Sequence, residues 1–319
     1  MEIVIPDDYP PTYASVDQVD LQRLAAYGVV KLFTTRAVDR AELFDRIAPA
    51  DVIINVRAYT ALDDEAFEHT PRLKMVSILG TGTDNVDLEA ATRRGISVTN
   101  TPGVGAPSVA ELTLGLMLGL VRAIPLSDAR VRQGTWQHVE GPELAGKTLG
   151  LLGLGAIGQH VARFGRGLGM HVVAWSFSPD AQRADRLGVQ LVERDDVFRR
   201  ADIVSVHLRN TPEMRGVVGA RELSLMKPSA YLINTARGAL VDESALAAAL
   251  RANAIAGAAL DVYTEEPLLP ERNPFRDLSN VVLTPHIGAV TREANTRSRA
   301  MPVDNIIAYL QGHPQHLVN

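Results

Sequence analysis

Cysteine is absent from all 319 residues. That excludes disulfides, thiolate nucleophiles and Cys-ligated zinc. No block of basic residues occurs, and the formal net charge is −5 at pH 7. Nucleic acid and anionic membrane surfaces are therefore not expected as partners. No apolar run is long enough to span a bilayer: the longest, 112–121, is bounded by Glu111 and Arg122. The opening residues Met1-Glu2-Ile3-Val4-Ile5-Pro6-Asp7 are acidic and turn polar at once, unlike a secretory signal. No metal site is expected. What is left is a globular composition, 46% hydrophobic and 22% charged, in which a cytoplasmic enzyme or binding protein is the default. The length favours two domains.

The most informative stretch is T-L-G-L-L-G-L-G-A-I-G, Thr148 to Gly158. It reads as a buried strand running into a glycine turn, with Gly153, Gly155 and Gly158 spaced G-x-G-x-x-G. A helix opening at Ala156 and Ile157 would aim backbone N–H groups at a pyrophosphate. The first glycine permits the turn, the second lets backbone approach the phosphates, and the third lets helix and strand pack closely. Glycines also cluster in ordinary turns; the strand before and the helix after favour a dinucleotide site.

Around this turn the chain alternates β-rich and helical patterns. Strands are expected at 2–5, 29–33, 52–56, 75–79 and 96–99, with helices at 17–27, 40–47, 63–68 and 87–94. The loops Asn55–Thr60 and Gly80–Asn85 leave the third and fourth strands at their C-terminal ends, where open α/β sheets bind ligands. Their ordinary alternative is a plain turn, with Asp84 or Asn85 capping the next helix. Asn100-Thr101-Pro102-Gly103 reads as an interdomain hinge. A long helix follows at 108–122, whose Gly115 and Gly119 allow close contact with another helix or a second subunit. A second array then places strands at 148–152, 171–175, 189–192, 203–207, 230–234, 257–261 and 281–284. Its helices fall at 157–168, 194–200, 220–225 and 243–252, and a last helix at 292–310 returns to the first domain. The expected architecture is α/β. It pairs a Rossmann-type doubly wound parallel sheet (101–289, including the long helix) with a smaller flavodoxin-like α/β unit built from 1–100 and 290–319.

Three charged residues sit at the ends of late strands: Arg237, Glu266 and His286. Glu266 and His286 are one connection and one strand apart, so neighbouring strand ends bring carboxylate to imidazole. Such a carboxylate stabilises the imidazolium, which suits a general acid. An arginine offers a planar fork to a carboxylate or a polarised carbonyl. Taken singly, each has a plain alternative. Arg237 could pair with Asp242 or Glu243, Glu266 could be a surface acid beside Glu265, and His286 could be a structural loop residue.

Taken together, the stretches Gly80–Asp87 (G-T-G-T-D-N-V-D), Gly150–Gly158, Asn234–Asp242 (N-T-A-R-G-A-L-V-D), Gly257–Pro267 (G-A-A-L-D-V-Y-T-E-E-P) and Pro285–Ala289 (P-H-I-G-A) resemble the D-isomer-specific 2-hydroxyacid dehydrogenase family, in its order and over nearly the whole chain. The resemblance implies an NAD(P)-dependent oxidoreductase with Arg237, Glu266 and His286 as its catalytic residues. It implies that Arg57, Ala58, Tyr59, Gly80 and Gly82 hold the substrate carboxylate, partly through backbone N–H. It also implies cofactor contacts at Thr81, Leu208, Thr235, Asp261 (to the nicotinamide carboxamide) and Ala289. A homodimer joined through the nucleotide domains would suit the 108–122 helix.

One position departs from that pattern. NAD-preferring relatives carry an acid at the end of the second nucleotide-domain strand, and here Ser176 stands in its place. A 2′-phosphate then meets no repulsion, and Ser176 and Ser178 can donate to it. No arginine follows directly; Arg183 and Arg186 come later. The alternative is that Ser176 binds the 2′-hydroxyl of NAD. The balance leans to NADP. The reading is a 2-keto acid reductase of glyoxylate or hydroxypyruvate type. Its rivals are a dinucleotide-sensing, co-repressor-like binding protein and a phosphoglycerate dehydrogenase. The sequence shows no DNA-binding appendage, and it stops soon after the last helix, so a regulatory domain is not expected.

Overall fold

Strand follows helix along both halves of the chain because short aliphatic runs alternate with amphipathic stretches opened by capping side chains. The computed structural model describes residues 1–14, 19–56 and 60–319. The chain divides into two compact units, Met1–Gly105 with Thr291–Asn319, and Ala106–Val290. Residues 101–105 stay with the first unit because Thr101 is bound to the end of its fourth strand: its N–H donates to Gly80 O (2.9 Å), and its Oγ1 accepts from Gly80 N–H (2.8 Å).

The first unit contains β1 (Glu2–Ile5), α1 (Val19–Gln22), β2 (Val29–Leu32), α2 (Arg40–Ile47), β3 (Val52–Val56), α3 (Asp64–Glu68), β4 (Met75–Leu79), α4 (Leu88–Arg93) and β5 (Ser97–Thr99). Its sheet is parallel in the order β2-β1-β3-β4-β5. That is the flavodoxin-like order, with its switch point between β1 and β3. Aspartates open three of its helices: Asp39 accepts from Glu42 N–H, Asp63 from Ala66 N–H and Asp87 from Ala90 N–H. Asp87, rather than Asp84 or Asn85, is thus the cap of α4, while Asn85 donates to Thr60 O. The helix expected over 17–27 is shorter. Residues 17 and 18 lie outside the described residues, and beyond Gln22 the hydrogen bonds Leu24→Leu21, Ala25→Gln22 and Tyr27→Leu24 step back three residues as turns.

The second unit begins with α5 (Ala106–Val121) and α6 (Ile124–Arg132). It continues through β6 (Thr148–Leu152), α7 (Ala156–Gly167), β7 (His171–Trp175), α8 (Ala181–Leu187), β8 (Gln190–Leu191), α9 (Arg194–Arg200) and β9 (Ile203–Val206). α10 (Ala220–Leu225), β10 (Tyr231–Asn234), α11 (Glu243–Arg251), β11 (Gly257–Leu260) and β12 (Val281–Leu283) complete it. Its parallel sheet runs β12-β11-β10-β9-β6-β7-β8. This is the doubly wound order with one extra strand, reversing beside β6. Both faces are covered. Leu149 and Leu151 pack with Leu116, Met117 and Val161 on one side; Leu152, Val204 and Leu232 pack with Val197, Leu223 and Leu246 on the other. Buried on both faces, the strands read as continuous apolar runs. α8 was not expected, although Asp180 caps it (2.9 Å to Arg183 N–H) and Gly188 closes it at φ +63.

α12 (Arg292–Leu310) returns to the first unit. Its Val303 and Ile306 are wholly buried against Ile3, Ile5, Val52, Ile54 and Met75. Each such side chain contributes about 1.5–3 kcal/mol of burial. Ser77 Oγ donates to Pro302 O, and Tyr13 OH to Arg299 O, so the helix is hydrogen-bonded to the sheet layer as well. No single helix among the described residues is long and apolar enough to cross a membrane.

Candidate active site and dinucleotide cradle

Every residue of this site in the second unit stands at the C-terminal edge of its sheet, where the end of each strand hands over to a loop. The glycine turn connects β6 to α7. Gly153 has φ +104, and a Cβ there would lie 2.5 Å from His207 O. A Cβ on Gly158 would lie 2.2 Å from Gly153 O. Those two glycines therefore permit the turn and the close seating of α7. Gly155 is different: a Cβ there meets nothing within 4 Å, and as N-cap of α7 it supplies no side-chain cap. The N–H groups of Ala156 and Ile157 open the helix there, a cradle open to an anionic group. The turn fits a pyrophosphate.

Two to four strands away along the same edge, after β10, β11 and β12, the triad residues come together. His286 Nδ1 lies 2.7 Å from Glu266 Oε2. Glu266 Oε1 accepts from Tyr263 N–H at 3.0 Å. Partial burial pushes the Glu266 carboxyl up; the His286 and Tyr263 hydrogen bonds, with the charges of His286 and Arg237, outweigh it and hold it below the usual carboxylate range. An ionised carboxylate only accepts, so Nδ1 carries a proton and Nε2 is the imidazole's outward working atom. Glu265 is not the partner; it pairs with Arg272.

Arg237 is positioned by its neighbours. Asn234 Nδ2 donates to Arg237 O (2.9 Å), and Asn234 Oδ1 accepts from Ala236 N–H (3.0 Å), so one side chain folds the loop. Gly238 lies hard against the next loop: a Cβ there would be 1.9 Å from the carbonyl carbon of Tyr263. That backbone-on-backbone contact brings the Arg237 loop to the Glu266 loop. Asp242 and Glu243, the simple ionic alternatives for Arg237, have other work. Asp242 caps α11 through Ala245 N–H, and Glu243 accepts from Thr264 N–H.

Asp261 is 1% exposed and acts as the clamp of the His286 loop. Its Oδ1 accepts from Thr284 Oγ1 (2.6 Å) and Ile287 N–H (2.8 Å), and its Oδ2 from Gly288 N–H (2.8 Å). Three of its roughly four acceptor positions are thus taken inside the protein. Tyr263 OH adds a bond to Thr284 O (2.9 Å), tying the ends of β11 and β12. His286 itself has φ +54, a left-handed conformation uncommon outside glycine.

The other expected cofactor residues divide. Leu208 follows β9 beside the glycine turn, with a side-chain methyl 3.3 Å from a Cβ built on Gly153. Thr113 Oγ1 donates to Val109 O, so Thr235 donates to Thr113 across 2.9 Å and its hydroxyl is committed to α5. Ala289 is exposed at the loop end. Ser176 is half-buried at the end of β7, and its hydroxyl donates to Ser178 O (3.3 Å). Thr81, Gly80 and Gly82 belong to the first unit, after β4. Gly80 N–H is taken by Thr101 Oγ1, and Thr81 Oγ1 donates to Thr101 O (3.2 Å), so neither is an open donor. Arg57, Ala58 and Tyr59 lie outside the described residues. Sequence reading missed Tyr263, Gly238, Asn234 and Thr284. The motifs N-T-A-R-G and L-D-V-Y contained three of them, but spacing alone assigns no role to a residue that supports another.

His207, just after β9, was not singled out either. Its Nε2 lies 2.9 Å from Ser205 Oγ, while its enclosed Nδ1 has no hydrogen-bond partner among the described residues. Burial pushes its pKa down to about 3. The folded protein therefore keeps this imidazole neutral, while the unfolded chain takes up its proton below about pH 6.5. Stability is whole above that pH and falls by up to about 1.4 kcal/mol per pH unit below it. His207→Asn is expected to remove this slope, making the loss of urea-unfolding free energy between pH 7 and 5.5 smaller by about 1 kcal/mol. An unchanged slope would place the acid sensitivity elsewhere.

With the glycine turn and the Arg–Glu–His group on one sheet edge, the chain has the make-up of a dinucleotide-dependent dehydrogenase, and comparison with known proteins agrees. Residues 114–288 match the family described as D-isomer specific 2-hydroxyacid dehydrogenase, NAD binding domain. The chain belongs to the D-isomer-specific 2-hydroxyacid dehydrogenases. It is 40% identical to a glyoxylate reductase of Thermococcus litoralis over 294 residues, 89% of this chain and 88% of that one. It is also 40% identical to a D-3-phosphoglycerate dehydrogenase of Methanocaldococcus jannaschii over 300 residues, 93% of this chain but only 56% of the relative. The chain thus spans little more than half the length of that relative. Among solved structures, an acyclic imino acid reductase in complex with NADPH and D-Arg superposes with a TM-score of 0.90, at 31% identity and with both chains fully covered.

Proposed function

We propose that this protein reduces a small 2-keto acid to the D-2-hydroxy acid with a nicotinamide dinucleotide, as a reductase of glyoxylate or hydroxypyruvate type. The observation that carries this reading is the 2.7 Å pair of His286 and Glu266 beside the Arg237 loop, on the same sheet edge as an uncapped glycine turn. The residues of the turn, Gly153 to Gly158, would hold the pyrophosphate, and the bound cofactor supplies hydride to the carbonyl carbon. The protein's own residues do the rest. Glu266 keeps the imidazole oriented and balances its charge. As the C=O π pair moves onto oxygen, His286 gives its Nε2 proton to that oxygen, completing the alcohol. Arg237 presents a planar fork that orients the acid and draws charge from the carbonyl. Arg57, Ala58, Tyr59 and Gly82 remain the proposed holders of the substrate carboxylate. Turnover of glyoxylate, hydroxypyruvate, pyruvate and phenylpyruvate with NADH and NADPH tests the reading; no turnover with any of them would favour a dinucleotide-sensing binding protein instead.

The homodimer proposed for this chain would use α5, α6 and the loop beyond. α6 buries none of its residues, and Ile124, Val131 and Trp136 are 54%, 55% and 82% exposed. A Cβ on Gly115 meets nothing within 4 Å, so that face of α5 is open to a second copy. A cytoplasmic location accompanies this reading.

NADP is the proposed cofactor, because Ser176 leaves no carboxylate at the end of β7. Ser176→Asp is expected to shift preference to NAD. The new carboxylate can accept from both ribose hydroxyls, while a 2′-phosphate meets it with like charge. NADPH efficiency should fall on the order of tenfold or more. The ratio of kcat/KM for the two cofactors, in wild type and variant, decides. A wild type strongly preferring NADH would refute the assignment of Ser176.

A further inference from the structure

β6 and β7 are paired so that Leu152 stands opposite Trp175, and Gly153 N–H donates to Trp175 O at 2.8 Å. The glycine turn and the Ser176–Ser178 turn are therefore held side by side. Arg183, in the first turn of α8, links the two. Its Nη1 reaches Leu154 O inside the glycine turn (3.5 Å), and its Nη2 reaches Asp180 Oδ2 (3.2 Å) on the loop that continues from Ser178. The backbone N–H of the same residue is capped by Asp180 Oδ1 at 2.9 Å. Seven residues beyond Ser176 in sequence, the guanidinium is thus carried back to the glycine turn by the start of α8.

We infer that Arg183 is the residue that distinguishes the two dinucleotides, by taking a phosphate monoester on the ribose 2′ position. In a doubly wound domain the ribose next to the adenine lies between the glycine turn and the end of the second strand. The Arg183 guanidinium occupies the protein side of that place. A guanidinium has five N–H donors in a fixed fork, and the two contacts leave three for a ligand. Asp180 would otherwise oppose a phosphate dianion, but its charge is matched by the same arginine, so the pair is neutral overall and presents the planar N–H face of the guanidinium at this rim. Two phosphate oxygens suit such a fork. The lack of an acid at Ser176 removes a repulsion, whereas Arg183 adds an attraction; the two effects are separable.

The inference rests on the dinucleotide reading above, and binding without substrate tests it independently of turnover. Affinities of the whole protein for NADPH and NADH, which differ only in the 2′-phosphate, are measured by fluorescence titration or calorimetry in the absence of any keto acid. Wild type should bind NADPH more tightly. Arg183→Ala should weaken NADPH about tenfold or more, the loss of a charge-assisted pair, and leave NADH within about twofold. Arg183→Lys, which keeps the charge and loses the fork, should fall between. The far-UV spectrum and Tm of both variants should match wild type, since the cap of α8 uses the backbone of residue 183. Equal weakening of both cofactors would make Arg183 a structural prop of the glycine turn and overturn the inference; an unchanged NADPH-to-NADH ratio would do the same. A wild type that binds neither would overturn the dinucleotide reading itself.

Discussion

Replacing His286 is expected to lower kcat by about two to four powers of ten, the range a positioned general acid contributes, while cofactor affinity stays within a few-fold. The imidazole has one ring nitrogen on Glu266 and the other free for substrate; nothing in its hydrogen bonding touches the glycine turn. The choice of variant matters, because residue 286 has φ +54. Histidine and asparagine adopt that left-handed conformation more readily than alanine. His286→Asn is therefore the cleaner test, with His286→Ala beside it. In both, turnover under saturating cofactor and keto acid should collapse across the pH range. Near-normal turnover would mean that the proton comes from another group.

Gly238→Ala should be almost as damaging without removing any chemical group. The added methyl would stand 1.9 Å from the carbonyl carbon of Tyr263, 2.2 Å from its oxygen and 2.3 Å from Thr264 N. All three are backbone atoms, so no side-chain rotation relieves the overlap. The Arg237 loop and the Glu266 loop must separate. Positioning losses of this kind, near 1 Å, cost about a hundredfold in rate. The expected result is a drop in kcat/KM of about that size, with a lowered Tm, while dinucleotide affinity is largely kept because the glycine turn is remote in sequence and built by other contacts. A variant with wild-type kinetics would show that the two loops do not depend on each other.

The fold was legible in the sequence because its strands are short aliphatic runs with turn signals at each end. Buried on both faces, Val52–Val56 and Met75–Leu79 could hardly be read otherwise. Where the pattern failed, local chemistry was ambiguous. α8 is only seven residues of mixed polarity, A-Q-R-A-D-R-L, and its apolar period is too brief to stand out from the loop. The stretch after Gln22 has helical composition but is drawn into turns as Gly28 packs against Met1, where a Cβ would meet Met1 O at 2.2 Å. At the site, the charged residues that do chemistry announce themselves at strand ends. The residues that hold them, such as Asp261 and Tyr263, do so through backbone partners twenty or more residues away, and spacing does not encode such partners. Asp261 was read as a cofactor ligand, and its three internal donors show that it first fixes the loop of His286.

The first unit is assembled from two separated pieces of chain, and α12 covers the face of its sheet formed by Ile3, Ile5, Val52, Ile54 and Met75. On the ribosome those pieces emerge at different times. The five strands are made early, but the helix that covers them follows only after the roughly 185 residues of the second unit, which take about 10–40 s at ordinary elongation rates. For that interval a finished sheet has a bare aliphatic side, while the second unit, continuous in sequence, can close as soon as it is clear of the exit tunnel. The nascent first unit is therefore the part of this protein whose aliphatic surface waits longest to be covered during synthesis.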